Sequence, residues 1–104
     1  MLRASYLAVA ALPASERFEL APQIRRSAFS ILSNIGEGAG RETQREYARF
    51  LDIAAGSAGE LMAQAEGALA VGLGSETLFR DVMERATRVR KMLTALKNAI
   101  RRGE

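Results

Sequence analysis

Apolar residues recur along most of the chain at alternating spacings of three and four, the period that gathers side chains onto one face of an α-helix. Ile24, Ala28, Ile31 and Ile35 form one such stripe. Tyr47, Leu51, Ala54, Ala58, Leu61, Ala65 and Ala68 form a second, and Leu78, Val82, Ala86, Val89, Leu93, Leu96 and Ile100 a third. No alternating, period-two stretch competes with them.

Local signals bound these stripes. A short first amphipathic helix ends before Pro13, and Pro22 suits the first position of a second helix running to about residue 39. Gly36, Gly38 and Gly40 weaken that helix and end it near Arg41. Thr43-Gln44-Arg45-Glu46 fits a capping box, in which hydroxyl and carboxylate each satisfy an orphaned backbone N–H at the start of a third helix. Gly72-Leu73-Gly74 stops it, and Ser75 caps a fourth helix with Glu76 and Asp81 early and bases late, as the helix dipole prefers. Short connections between long helices make antiparallel neighbours. The expectation is an all-α, up-down-up-down four-helix bundle with a short first helix, residues 1–104 forming one domain.

Composition narrows the chemistry. The 104 residues include neither cysteine nor histidine. That removes thiolate nucleophiles, imidazole acid–base pairs and the usual zinc or di-iron ligand sets, so no catalytic residue, metal or cofactor is expected. The residues from Met1 to Ser15 carry one early base and a short apolar stretch, as a cleavable signal does, but a first helix explains them without requiring an oxidising compartment. With no apolar run long enough to span a bilayer, the expected setting is the cytoplasm.

Polar residues flank two of the stripes. Ser27, Ser30, Asn34, Glu37 and Arg41 share one flank of the second helix, and Ser57, Glu60 and Gln64 one flank of the third. Their meeting would make a hydrogen-bonded structural network of Arg26, Ser30, Asn34, Glu37, Arg41, Ser57 and Glu60, with both glutamates partly buried. A carboxylate metal or acid–base site at Glu37 and Glu60 is the sharper alternative; the missing histidine argues against it. Gly36-Glu37-Gly38-Ala39-Gly40-Arg41 fails as a phosphate loop, because Arg41 occupies the place of the fingerprint's third glycine, no strand precedes it and no Gly-Lys-Ser/Thr follows.

On the third helix Gly56, Gly59, Ala63 and Gly67 lie opposite the apolar stripe, and each interior glycine costs about 0.5–1 kcal/mol relative to alanine. Close approach of another subunit would offset that cost, so these four residues mark a candidate oligomer interface. Net charge is only +3, yet Arg85, Arg88, Arg90, Lys91, Lys97, Arg101 and Arg102 follow one another without an intervening acid. The bland reading is a solvated face; the functional one is a surface for nucleic-acid phosphates.

Gln23-Ile24-Arg25-Arg26, Ser30-Ile31, Asn34-Ile35, Glu37-Gly38, Gly40-Arg41, Phe50-Leu51, Ile53-Ala54, Gly56-Ser57 and Glu60-Leu61 follow in an order that resembles the bacterial four helix bundle protein family. That family was first met as proteins encoded by intervening sequences within large-subunit ribosomal RNA genes. The resemblance covers almost the whole chain. It implies a bundle assembled as a ring-like homopentamer. A related branch, the accessory protein of diversity-generating retroelements, binds a reverse transcriptase and nucleic acid through basic surfaces. Family members usually have a longer first helix, and their common Ile-Ala-Glu-Gly stands here as Ile35-Gly36-Glu37-Gly38.

Together these readings predict a non-enzymatic, homo-oligomeric binding module. RNA or DNA backbone would meet Arg88, Arg90, Lys91, Lys97, Arg101 and Arg102 of the fourth helix, aided by Arg45 and Arg49 of the third. The alternative is a protein-interaction scaffold, with a reverse transcriptase or another protein as partner and no direct contact with nucleic acid.

Overall fold

A computed structural model describes residues 1–103; Glu104, the last residue of the expected domain, lies outside them. Four helices, α1 (Leu2–Ala10), α2 (Leu20–Ala39), α3 (Gln44–Val71) and α4 (Glu76–Gly103), account for most of it, with a single 3₁₀ turn at Ala14–Glu16. The described residues contain no strand. α3 packs most extensively against α4, then α2, while α1 fills the remaining corner between α2 and α4. The result is an elongated all-α bundle, 47 × 21 × 17 Å.

The helix ends follow from side chains that satisfy orphaned backbone groups. Thr43 Oγ1 accepts the Glu46 N–H at 3.1 Å. Only this half of the expected capping box forms, because the Glu46 carboxylate turns instead toward Arg49, 3.6 Å away. Gly72, at φ 72°, closes α3 in a Schellman turn: the Leu73 N–H reaches the Ala68 carbonyl at 2.9 Å and the Gly72 N–H that of Leu69 at 3.3 Å. Ser75 Oγ then accepts the Leu78 N–H at 3.2 Å and starts α4. α2 begins at Leu20, two residues earlier than Pro22 suggests. The proline falls inside the first turn, where a backbone N–H has no intrahelical partner anyway.

The core is built from the three stripes, with Ile24, Ala28 and Ile31 of α2 meeting Leu51, Ala54, Ala58, Leu61 and Ala65 of α3, and Val82, Ala86 and Leu93 of α4. Phe79 is its largest fully buried side chain. Small residues on α3 let its neighbours approach closely. Gly38 shows this most sharply: a Cβ there would stand 2.7 Å from Cβ of Phe50 and 3.0 Å from the Tyr47 ring. Its role is therefore packing between α2 and α3, beyond ending a helix.

One stripe residue departs from the expected core. Leu96 is 42% exposed, although the same period buries Leu93 and Ala86. Periodicity assigns a face, but burial also needs a neighbour packed across from it.

Candidate functional site

The basic residues of α4 divide according to what the preceding turn offers them. Arg80 lies 2.8 Å from Glu76, Arg85 3.0 Å from Asp81 and Arg88 2.6 Å from Glu84, each an acid four residues before its arginine. Arg85 and Arg88, the first two bases of the acid-free run, are thus neutralised locally. The signal was present in the sequence, in the spacing of Asp81 and Glu84 from Arg85 and Arg88.

Two further bases are turned toward α3. Lys97 donates to Asp52 Oδ1 at 2.9 Å with its side chain only 15% exposed. The hydrogen bond and the charge of Lys97, with a smaller contribution from Arg101, hold the Asp52 carboxyl below the usual carboxylate range despite slight desolvation. Arg90 lies along α3, its guanidinium 3.4 Å from where a Cβ on Gly59 would stand. Lys91, Arg101 and Arg102 make no ion pair among the described residues.

Antiparallel packing brings the end of α4 beside the beginning of α3. There Arg101 joins Thr43, Arg45, Glu46 and Arg49 around an open hollow. The guanidinium of Arg49 also lies over the Phe50 ring, 4.7 Å from its centroid, with that of Arg41 at 4.8 Å. Stacking on the ring restrains both guanidiniums, whose edges meet Glu37 at 2.7 Å for Arg41 and Glu46 at 3.6 Å for Arg49. The first turn of α3 adds the positive end of the helix dipole. Phe50 was not among the expected site residues; its place next to Arg49 and on the flank facing Arg41 is the sequence trace of this arrangement.

The polar flanks of α2 and α3 meet over part of their length. Ser30 and Ser57 share a hydrogen bond of 2.7 Å, and the Asn34 amide donates to the Ser30 carbonyl at 2.8 Å and to its hydroxyl at 3.1 Å. Ser27 donates to Glu60 at 3.3 Å. Glu37 and Arg41 stand apart, paired with each other at 2.7 Å on the surface. Arg26 makes no side-chain hydrogen bond among the described residues. Glu37 lies ten residues along α2 from Ser27, about 15 Å, and both it and Glu60 are exposed. The partly buried convergence of the two glutamates expected from the helical wheel is therefore overturned: they sit on the same flank but at different levels. Among the described residues no group of three or more acids lies close enough together to hold a metal ion.

On α3, Gly56 and Gly67 face open space, whereas Gly59 is covered by Arg90 of the same chain. Ala63, between Gly59 and Gly67, is exposed. No helix of the described residues is long and apolar enough to cross a membrane.

The sequence profile of the 23S rRNA-intervening sequence protein family matches residues 2–95. The match ends before Arg101 and Arg102. Among solved structures, the chain is similar to a protein of unknown function from the S23 ribosomal protein family of Bacteroides thetaiotaomicron, with a TM-score of 0.81 and 22% identity. The superposition covers 91% of this chain and 88% of that one, which at this identity shows a shared fold. No curated protein matches the chain.

Proposed function

The chain belongs to the 23S rRNA-intervening sequence protein family, and on that premise we propose that it is a non-enzymatic, homo-oligomeric module that holds the phosphate backbone of RNA or DNA. The observation that carries this reading is the convergence of Arg45, Arg49 and Arg101 around one open hollow at the start of α3. An arginine held closely by a carboxylate, as Arg88 is by Glu84 at 2.6 Å, must give that pair up to bind phosphate, whereas Arg45 and Arg101 form no ion pair among the described residues and Arg49 approaches Glu46 only at 3.6 Å. The binding surface accordingly shifts from the whole of α4 toward the end of the bundle, with Arg102 adjacent in sequence to Arg101, Lys91 about 15 Å back along α4, and Arg88 and Lys97 held in ion pairs.

A filter-binding titration of labelled RNA duplex and single strand, repeated over several salt concentrations, tests the reading. Replacing Arg45, Arg49 and Arg101 together by alanine is expected to abolish retention and leave helicity intact, whereas Arg88→Ala changes little. Removing one arginine that touches a phosphate lowers the slope of log affinity against log salt by about 1. No retention by the wild type at low salt refutes direct nucleic-acid binding. That outcome favours the scaffold reading, for which the exposed apolar side chains of Phe29, Leu32 and Met92 are the specific observation.

A further inference from the structure

The bases around the start of α3 converge on one place rather than forming a row. Arg45 and Arg49 stand four residues apart on one face of the helix, and Arg101 reaches the same hollow from the last turn of α4. The hollow holds about 650 Å³, the size of a small-ligand site. Among its lining residues Glu46 alone is acidic, and it approaches Arg49 only at 3.6 Å. Three guanidiniums against one carboxylate leave two positive charges in excess.

Outside the hollow that excess ends. Arg41 donates to Glu37 at 2.7 Å, and Lys97, about one turn before Arg101, to Asp52 at 2.9 Å. From Phe50 to Val71 α3 carries Asp52, Glu60 and Glu66 and no base. Going back along α4 from Arg101, the first base without an ion pair among the described residues is Lys91, about 15 Å away. A groove that follows a nucleic-acid strand needs unpaired bases in succession, because every nucleotide adds a phosphate. Here only Arg102 adjoins the cluster, and it does not line the hollow.

Such local convergence suits one phosphate of higher charge than its neighbours. An internal phosphodiester carries a single negative charge and continues into chain on both sides. A terminal phosphate monoester carries about −1.5 to −2 near neutral pH and presents three free acceptor oxygens, with chain on one side only. Its charge matches the excess in the hollow, and its oxygens can be shared among three guanidiniums, each offering forked N–H donors. Thr43, whose hydroxyl oxygen accepts the Glu46 N–H, keeps its own O–H to donate. The Phe50 ring, 4.7 Å from the Arg49 guanidinium, restrains that arginine beforehand and so lowers the entropy lost on binding.

We propose that the hollow bounded by Arg45, Arg49 and Arg101 binds the terminal phosphate of a nucleic-acid strand, so that the protein recognises chain ends. The proposal rests on the nucleic-acid reading given above and specifies which phosphate the site takes.

Filter binding of the full chain at one fixed salt concentration tests this with a short single-stranded RNA of one sequence. The RNA is made with a 5′-phosphate, a 5′-hydroxyl, a 5′-phosphate methyl ester or a 3′-phosphate, and as a closed circle. The 5′-phosphate form is expected to bind about tenfold tighter than the hydroxyl form, the worth of about one charge-assisted hydrogen bond. The methyl ester and the circle, which have no dianionic end, should bind like the hydroxyl form. A tenfold gain from the 3′-phosphate, alongside the 5′ gain or in place of it, supports the same chemistry and says which ends are read. Arg49→Ala and Arg101→Ala, both at exposed positions, should each bring the ratio close to one with helicity unchanged. Arg80→Ala, which removes a partner of Glu76 at the opposite end of α4, should leave the ratio at tenfold. A folding defect lowers both affinities together, so the ratio isolates the site. Equal affinity for every form overturns end recognition and leaves the nucleic-acid reading standing, whereas no retention of any form overturns both. A tenfold ratio that survives Arg49→Ala and Arg101→Ala puts the phosphate elsewhere and overturns the assignment. Adenosine 5′-monophosphate binding as tightly as the 5′-phosphate RNA would give the hollow to a free nucleotide instead.

Discussion

Replacing Gly38 by alanine sets two opposing effects against each other at a position where the structure decides which prevails. Alanine inside a helix is favoured over glycine by about 0.5–1 kcal/mol, through the entropy glycine loses on folding. At Gly38, however, the new methyl would stand 2.7 Å from Cβ of Phe50, with the Tyr47 ring at 3.0 Å and the Tyr47 carbonyl at 3.4 Å. A Cβ atom cannot swing away as a side-chain end can. Relief requires α2 and α3 to separate by several tenths of an ångström, which loosens the packing of the two helices around Tyr47 and Phe50. Overpacking of this kind costs about 1–3 kcal/mol. The net expectation is destabilisation by about 1–2 kcal/mol. Gly36→Ala supplies the internal control: the same substitution in the same helix meets nothing within 4 Å, so only the favourable term remains, about 0.5–1 kcal/mol. Urea unfolding followed by far-ultraviolet circular dichroism at one fixed protein concentration reads both variants against the wild type. A Gly38→Ala chain as stable as Gly36→Ala would refute the close-approach argument.

Other interactions give smaller, separable effects. Ser30→Ala and Ser57→Ala each remove one partner of a part-buried 2.7 Å hydrogen bond and should cost about 1 kcal/mol; the double variant should lose less than their sum, measured as a double-mutant cycle. Gly72→Ala forces a side chain into left-handed backbone at φ 72° and should cost about 1–2 kcal/mol in thermal or urea unfolding. Asp52, whose folded carboxyl titrates below its unfolded value, contributes stability that is fully present above the unfolded carboxylate range and fades as pH falls through its folded titration. Asp52→Asn should therefore differ from the wild type by no more than about 1 kcal/mol near neutrality, less in high salt, and converge with it in acid; a difference that grows toward low pH would contradict the Asp52–Lys97 assignment.

The candidate phosphate site was only partly legible along the chain. Arg45, Arg49 and Arg101 could each be picked out as basic, but 52 residues separate Arg49 from Arg101, and only the antiparallel return of α4 puts them around one hollow. Arg88 and Lys97 looked equivalent to them until their close partners were seen, at 2.6 and 2.9 Å, against the looser 3.6 Å approach of Arg49 to Glu46. The acid four residues before Arg88 is readable from helical spacing; the Asp52 that meets Lys97, 45 residues away, is not. Ser30 and Ser57 were legible as members of polar flanks, whereas the levels at which those flanks meet, and so the separation of Glu37 from Glu60, depend on how α2 slides along α3.

The helices were written into the chain itself, because their causes are local: apolar spacing matched to the helical period, a hydroxyl at Thr43 or Ser75 to take up an orphaned N–H, and a glycine at 72 able to adopt left-handed backbone. The all-α class followed in the same way, since stripes of this length can be buried only against one another. Whatever depends on which surfaces lie opposite one another emerged only on folding. The tightness of the α2–α3 approach at Gly38 and the difference in burial between Leu93 and Leu96 are of this kind. Such properties belong to pairs of helices, and their relative level and distance are fixed by packing of the whole core rather than by any one segment.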